Sequence, residues 1–170
     1  MGTYTIGPAE YYLQWGVPLH RAAIESDWKT ADKILQQQPN LATAGVDIEG
    51  MNVLHVACGA NSSTYFIKQL VAHYMNTPED LALPDKDHST GLMYLAHAGN
   101  NVKAAKFMIE TNGSLPLMKD DGGYYAVTYA AEWGNRKMTS YLLSVTDLRQ
   151  VPIANPVSYT HLTLPTKRIV

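Results

Sequence analysis

A chain of 170 residues, 46% hydrophobic and 16% charged, has the material for one globular core. Its 13 basic and 15 acidic side chains leave a formal charge of -2, which excludes the electrostatic footprint of a nucleic-acid or anionic-membrane binder. A single cysteine, Cys58, excludes an internal disulfide and a four-cysteine zinc site, and points to a reducing compartment.

Residues 1–16 read as a lead-in. No basic stretch is followed by an apolar one, so a secretory signal is not expected, and the chain reads as intracellular. Gly2 opens MGTYTI, but Ile6 stands where a myristoylation signal favours Ser or Thr, so lipidation is not expected. Without an export signal, the sequons at Asn61 and Asn112 carry no weight. The longest stretch of the main body without Asp, Glu, Lys or Arg, Gly50 to Ile67, holds His55, two Asn, two Ser and Thr64, which is too polar for a membrane span.

From Val17 onward one template recurs: VPLHRAAIESDW, NVLHVACGANSS from Asn52, TGLMYLAHAGNN from Thr90 and YAVTYAAEWGNR from Tyr125. Leu19, Leu54, Leu92 and Val127 share a slot at spacings of 35, 38 and 35. Mostly small residues follow as Ala22-Ala23, Ala57-Cys58, Leu95-Ala96 and Ala130-Ala131. A second apolar pair recurs a helix and a turn later, as Ile34-Leu35, Leu70-Val71, Phe107-Met108 and Leu142-Leu143. Each unit is therefore a helix hairpin, with units at about 17–50, 51–88, 89–123 and 124–147. Asp47-Ile48-Glu49-Gly50, Asp85-Lys86-Asp87-His88 and Asp120-Asp121-Gly122-Gly123 precede successive hairpins as turns. Of the three surplus residues in the longest spacing, one falls before Leu70 and two fall around Pro78, in a connection. Lys33, Lys68, Lys106 and Lys137 recur on the second helices as an outward charged face. Trp15 and Trp28 are expected to pack the first pair and close its end.

Residues 148–170 break the pattern. NPVSYTHLTLPTKRIV, with Pro156 and Pro165, has no helical period and resembles adaptor sequence translated in frame, so 155–170 are expected to be a translation artefact and the chain a truncated fragment.

VPLHRAA and NVLHVAC match the T-P-L-H-x-A signature of ankyrin repeats closely, and TGLMYLA and YAVTYAA match it in register, with Met93 and Thr128 in the His slot. The chain resembles an ankyrin repeat protein from Val17 to about Asp147. More narrowly, YLQWGVPLHRAAIESDWKTADKILQQQP followed by GMNVLHVACGA resembles plant ankyrin proteins that carry a C-terminal multi-span membrane domain in full length. The resemblance implies an all-α ankyrin solenoid of helix-turn-helix units joined by β-turn or hairpin loops. It implies a non-catalytic protein-binding module, cytoplasmic, with a role in plant stress or defence signalling. The alternative is the cytosolic, membrane-associated end of a signalling or transport protein.

The same resemblance places a concave binding surface at Ile48, Glu49 and Met51, at Lys86, Asp87 and Ser89, at Asp121, Gly122 and Tyr124, and on the helices at Ile24, Glu25, Gly59, Ala60, His97, Ala98, Glu132 and Trp133. Its apolar and aromatic members are what interface hot spots use, which suits a protein or peptide with apolar anchors and some basic character. With no polar capping unit after Leu143, the face around Met138, Tyr141 and Leu142 is expected to lack cover and to promote self-association.

Other chemistries are weaker. His55 and Cys58 share a helix face as half a zinc site or a nucleophile and its base, but the resemblance makes His55, like His20, a tie between neighbouring turns, and Cys58 a close-packed Ala substitute. Asp85 to Ser89 opens like a calcium loop yet has Thr90 at position six and Ala96 at position twelve. No phosphate loop is present, so no cofactor is expected. Glu79-Asp80 and Asp120-Asp121 read as solvated turn residues without an apolar pocket to make one an acid or base.

Overall fold

The computed structural model describes residues 9–150. Gly2, the expected artefact at 155–170 and both of its prolines lie outside them. The described residues are helical apart from turns and one isolated bridge between Lys119 and Tyr125, so the chain is all-α. No helix among them is long and apolar enough to cross a membrane.

Eight main helices form four pairs: α1 (Val17–Glu25) with α2 (Trp28–Gln37), α3 (Val53–Gly59) with α4 (Thr64–Tyr74), α5 (Gly91–Ala98) with α6 (Val102–Thr111), and α7 (Ala126–Glu132) with α8 (Arg136–Val145). The lead-in is itself helical at Ala9–Tyr11 and passes through a π-helical turn, Tyr12–Gly16, directly into α1. α1, α3, α5 and α7 pack each against the next, and α2, α4, α6 and α8 do the same in a second layer. The first layer is held together by the recurring slots. Leu19, Leu54, Leu92 and Val127 are buried, and Ala22, Ala23, Ala57, Cys58, Ala96 and Ala130 let the helix backbones approach. The extra residue before Leu70 lengthens α4 to 11 residues, one more than α2, α6 and α8.

Each of the first three pairs ends in a 3-10 turn: Pro39–Ala42, Pro78–Ala82 and Leu115–Leu117. Their Leu41, Leu81 and Leu115 are buried and extend the core beneath the second layer.

Helix starts are set by polar caps. Asp27, Asn52, Ser63 and Asn101 accept backbone N–H groups of the first turns of α2, α3, α4 and α6, each worth about 1 kcal/mol. α8 is capped from the preceding pair. Asn100 Oδ1 accepts from the N–H groups of Lys137 and Met138, while the amide of Asn135, at the N-terminus of α8, donates back to the carbonyls of Ala96 and His97. Ser62 Oγ donates in the same manner to the carbonyl of Ala23, and Ser63 N–H donates to Ser26 Oγ.

Two packing expectations are corrected. Trp28 bridges the first and second pairs: its ring meets Phe66 edge-on at 5.7 Å and stacks on His73 at 6.2 Å, because the start of α2 lies over α4. Met138 and Leu142 are fully buried, since the four-residue period of α8 turns both toward the neighbouring helices; Tyr141 is half-buried, and the exposed apolar residues nearby are Val145 and Leu148.

Candidate functional site

The turns before α3, α5 and α7 share one construction. In each, the residue before or at the leading Asp closes a short loop by a backbone bond: Val46 N–H to Met51 O, Asp85 N–H to Ser89 O and Asp120 N–H to Tyr124 O. The Asp carboxylate then accepts N–H groups from the loop it begins, from Glu49 and Met51 at Asp47, from Asp87 and Ser89 at Asp85, and from Tyr124 at Asp120. The chain reverses through positive φ at Gly50 (75°), His88 (59°) and Gly123 (80°), a region glycine enters without steric cost. Successive turns are joined edge to edge, by Lys86 N–H to Glu49 O and Asp121 N–H to Asp87 O, both at 3.0 Å.

His55 bridges the second and third units from inside. It is 1% exposed; Nδ1 accepts the N–H of Asn52 at 3.0 Å, so Nε2 carries the proton and donates to the carbonyl of Ser89 at 3.1 Å. Burial pushes its pKa below the ordinary 6.5, outweighing Asp85 and Asp47, which favour the proton. Cys58 is sealed in the core with Sγ 4.0 Å from Met108 Sδ, and burial pushes its thiol pKa far up. Neither ring nitrogen of His55 is left to act as a base toward that thiol. Among the described residues, no group of three His, Cys, Asp or Glu side chains is placed to hold a metal ion.

The expected site residues separate into three groups. Ile48 (71% exposed), Glu49, Lys86, Asp87, Asp121, Glu132 and Trp133 (61% exposed) are open to solvent, and Met51, His97 and Tyr124 are half-buried. Ser89 is corrected: it is 8% exposed, and its backbone N–H and carbonyl are taken by Asp85 and His55. The structure brings Asp87, Ser89, His97, Asp121 and Tyr124 together, with Trp133 against His97, and leaves Ile48 and Glu49 on the turn before α3.

A cavity of about 440 Å³ opens between the turns before α5 and α7, which are the third and fourth turns when each is numbered by the helix pair it precedes. Its walls are Tyr94 and His97 from α5, Tyr129 from α7 and Tyr124 from the turn, with Asp87 and Asp121 among its lining. The rings lie against one another: His97 meets Tyr129 edge-on at 6.4 Å, Tyr124 tilts against Tyr129 at 5.9 Å, and Trp133 meets His97 at 4.2 Å and 79°. Asp120 also lines this cavity, and here the reading of a solvated turn carboxylate is overturned. The residue is 8% exposed, and its Oδ2 accepts from the Tyr129 hydroxyl at 2.6 Å. Asp85 and Tyr94 form the same pair at the same distance one unit earlier. Desolvation, reinforced by the carboxylate each phenol donates to, raises the pKa of Tyr94 and Tyr129 well above the ordinary 10.0. Each phenol stays protonated and donates to its carboxylate.

Tyr94 and Tyr129 are lining residues that the template did not single out, and it marked Asp120 only as a turn residue. An Asp followed nine residues later by Tyr, at 85/94 and again at 120/129, is the signal that marks them. No protein-family model matches the sequence, and none of the curated proteins compared with it is similar to it.

Proposed function

We propose that this chain is an ankyrin-type solenoid that works as a non-catalytic protein-binding module, taking a peptide segment of its partner along the face formed by the turns and the first-layer helices. The observation that carries this reading is the coincidence of period and exposure. Core slots repeat four times, while large apolar side chains outside them, Ile48 and Trp133 above all, stand open on the turns and at the end of α7. The commitment of His55 to backbone groups and the burial of Cys58 support a structural role for the pair and disfavour the rival cysteine-dependent enzyme. Stress or defence signalling, and a cytosolic position beside a membrane, follow from the sequence resemblance alone.

Panning a displayed library of random twelve-residue peptides on the full chain tests the reading. Peptides should be enriched whose binding falls at least tenfold on Trp133→Ala, about 1.4 kcal/mol or more, with the urea midpoint nearly unchanged. Enriched peptides indifferent to Trp133, Tyr124 and Ile48 substitutions would refute the face assignment.

A further inference from the structure

We infer that the cavity between the third and fourth turns is a receptor for one arginine side chain of the partner segment, an assignment that rests on the peptide-binding reading above and gives it a chemistry. Three features of the cavity agree on a planar cation. Its walls are aromatic, with the rings of Tyr94, Tyr124 and Tyr129 among the lining, and a tyrosine ring attracts a cation through its quadrupole. Its charged lining is acidic: Asp120 accepts the Tyr124 N–H and the Tyr129 hydroxyl, Asp87 and Asp121 are exposed lining residues, and no Lys or Arg is among the lining residues. Glu132 adds a fourth negative charge close enough to act on Tyr129. At about 440 Å³, the space is of the size that ligand pockets occupy and accepts a whole side chain together with its flanking backbone.

A neutral apolar anchor would strip water from the carboxylates without adding a partner, which costs free energy, whereas a cation replaces the lost water with charge-assisted bonds. Guanidinium fits better than ammonium. It stacks flat on the tyrosine rings while its fork of donors reaches a carboxylate, and it is less strongly hydrated. His88 pairs with Asp121 at 2.9 Å across the two turns, holding that carboxylate at the mouth; both side chains are mostly exposed, so exchanging Asp121 costs the fold little.

The test is an NMR titration of the isotope-labelled full chain with three capped tripeptides, acetyl-Gly-Xaa-Gly-amide, in which Xaa is arginine, lysine or citrulline. Citrulline keeps the shape of arginine and removes its charge. The arginine peptide should give saturable shifts at the amides of Ser89, Gly122 and Tyr124 in the millimolar range. Lysine should bind several-fold more weakly and citrulline at least tenfold more weakly. The double variant Asp87→Asn with Asp121→Asn, with an unchanged urea midpoint, should weaken arginine at least fivefold, as should raising the salt.

Equal binding of citrulline and arginine, equal binding of lysine and arginine, or no saturable shift at these amides would each overturn the assignment. So would arginine binding that the double variant leaves intact. Library peptides that depend on Trp133 but carry no arginine would sink the arginine site alone. Saturable arginine binding beside a failed panning would sink the peptide-groove reading alone.

Discussion

His55 gives the interior of this protein a pH dependence whose size can be worked out in advance. Its ring is buried and neutral, with one nitrogen accepting from Asn52 and the other donating to Ser89. Because burial lowers its folded-state pKa below 6.5, the unfolded chain takes up the proton first. The stability it confers is fully present above pH 6.5 and is lost as the pH falls below that value. One proton bound only by the unfolded state sets the limit: about 1.4 kcal/mol between pH 7.5 and 5.5. With a urea slope of about 2 kcal/mol/M, that is a fall of up to about 0.7 M in the unfolding midpoint. His55→Gln should be less stable by about 2–3 kcal/mol at pH 7.5, since it misplaces the acceptor of a buried N–H, and should lose this part of the slope, so that the gap narrows toward pH 5.5. Urea titrations of both proteins at pH 5.5, 6.5 and 7.5 measure it. Equal losses in the two proteins, or a His55 ring resonance that titrates at the ordinary value in the folded state, would refute the reasoning.

Trp133→Ala should lower stability by less than about 1 kcal/mol in urea, because the indole is 61% exposed and its ring packs against His97; a loss of about 3 kcal/mol would make it core. Cys58 should be untouched by iodoacetamide at neutral pH in the folded protein and react only as fast as the chain opens, which mass spectrometry follows; rapid labelling would show an accessible thiolate. Asp85→Ala should cost about 2–4 kcal/mol in chemical denaturation, because it removes the acceptor of the Asp87 and Ser89 N–H groups and of the Tyr94 hydroxyl at once, and a loss under 1 kcal/mol would mean those donors find water instead.

What the sequence made legible is the part that depends on one unit at a time. The slot of Leu19, Leu54, Leu92 and Val127 follows from helical period, and the leading Asp of each turn follows from the bonds that residue makes to its own loop. What stayed hidden depends on two units together. Tyr94 and Tyr129 stand where the other copies carry Arg21 and Val56, so alignment makes the slot merely variable, although two copies use it to bury a turn carboxylate. Asn100 caps a helix in the next pair, which no cap rule applied within one stretch of chain reveals. Trp28, read as belonging to its own pair, crosses to α4 for the same reason.

The interlocks also differ from one junction to the next. Between the second and third turns, a backbone bond is backed by the imidazole bolt of His55 into Ser89. Between the third and fourth, Met93 holds the histidine slot, and the turns meet through Asp121 N–H to Asp87 O, the exposed His88 contact and the Tyr129 hydroxyl beside Ser89. The far edge of that same junction is firmly pinned by Asn100 and Asn135. The turn edge of this junction lacks the buried imidazole that fastens its neighbour, so it has one bolt fewer to break when the turns part. Amide exchange at Asp121 should therefore outpace that at Lys86 in the empty protein, and an occupant held between the two turns would bring the rates together.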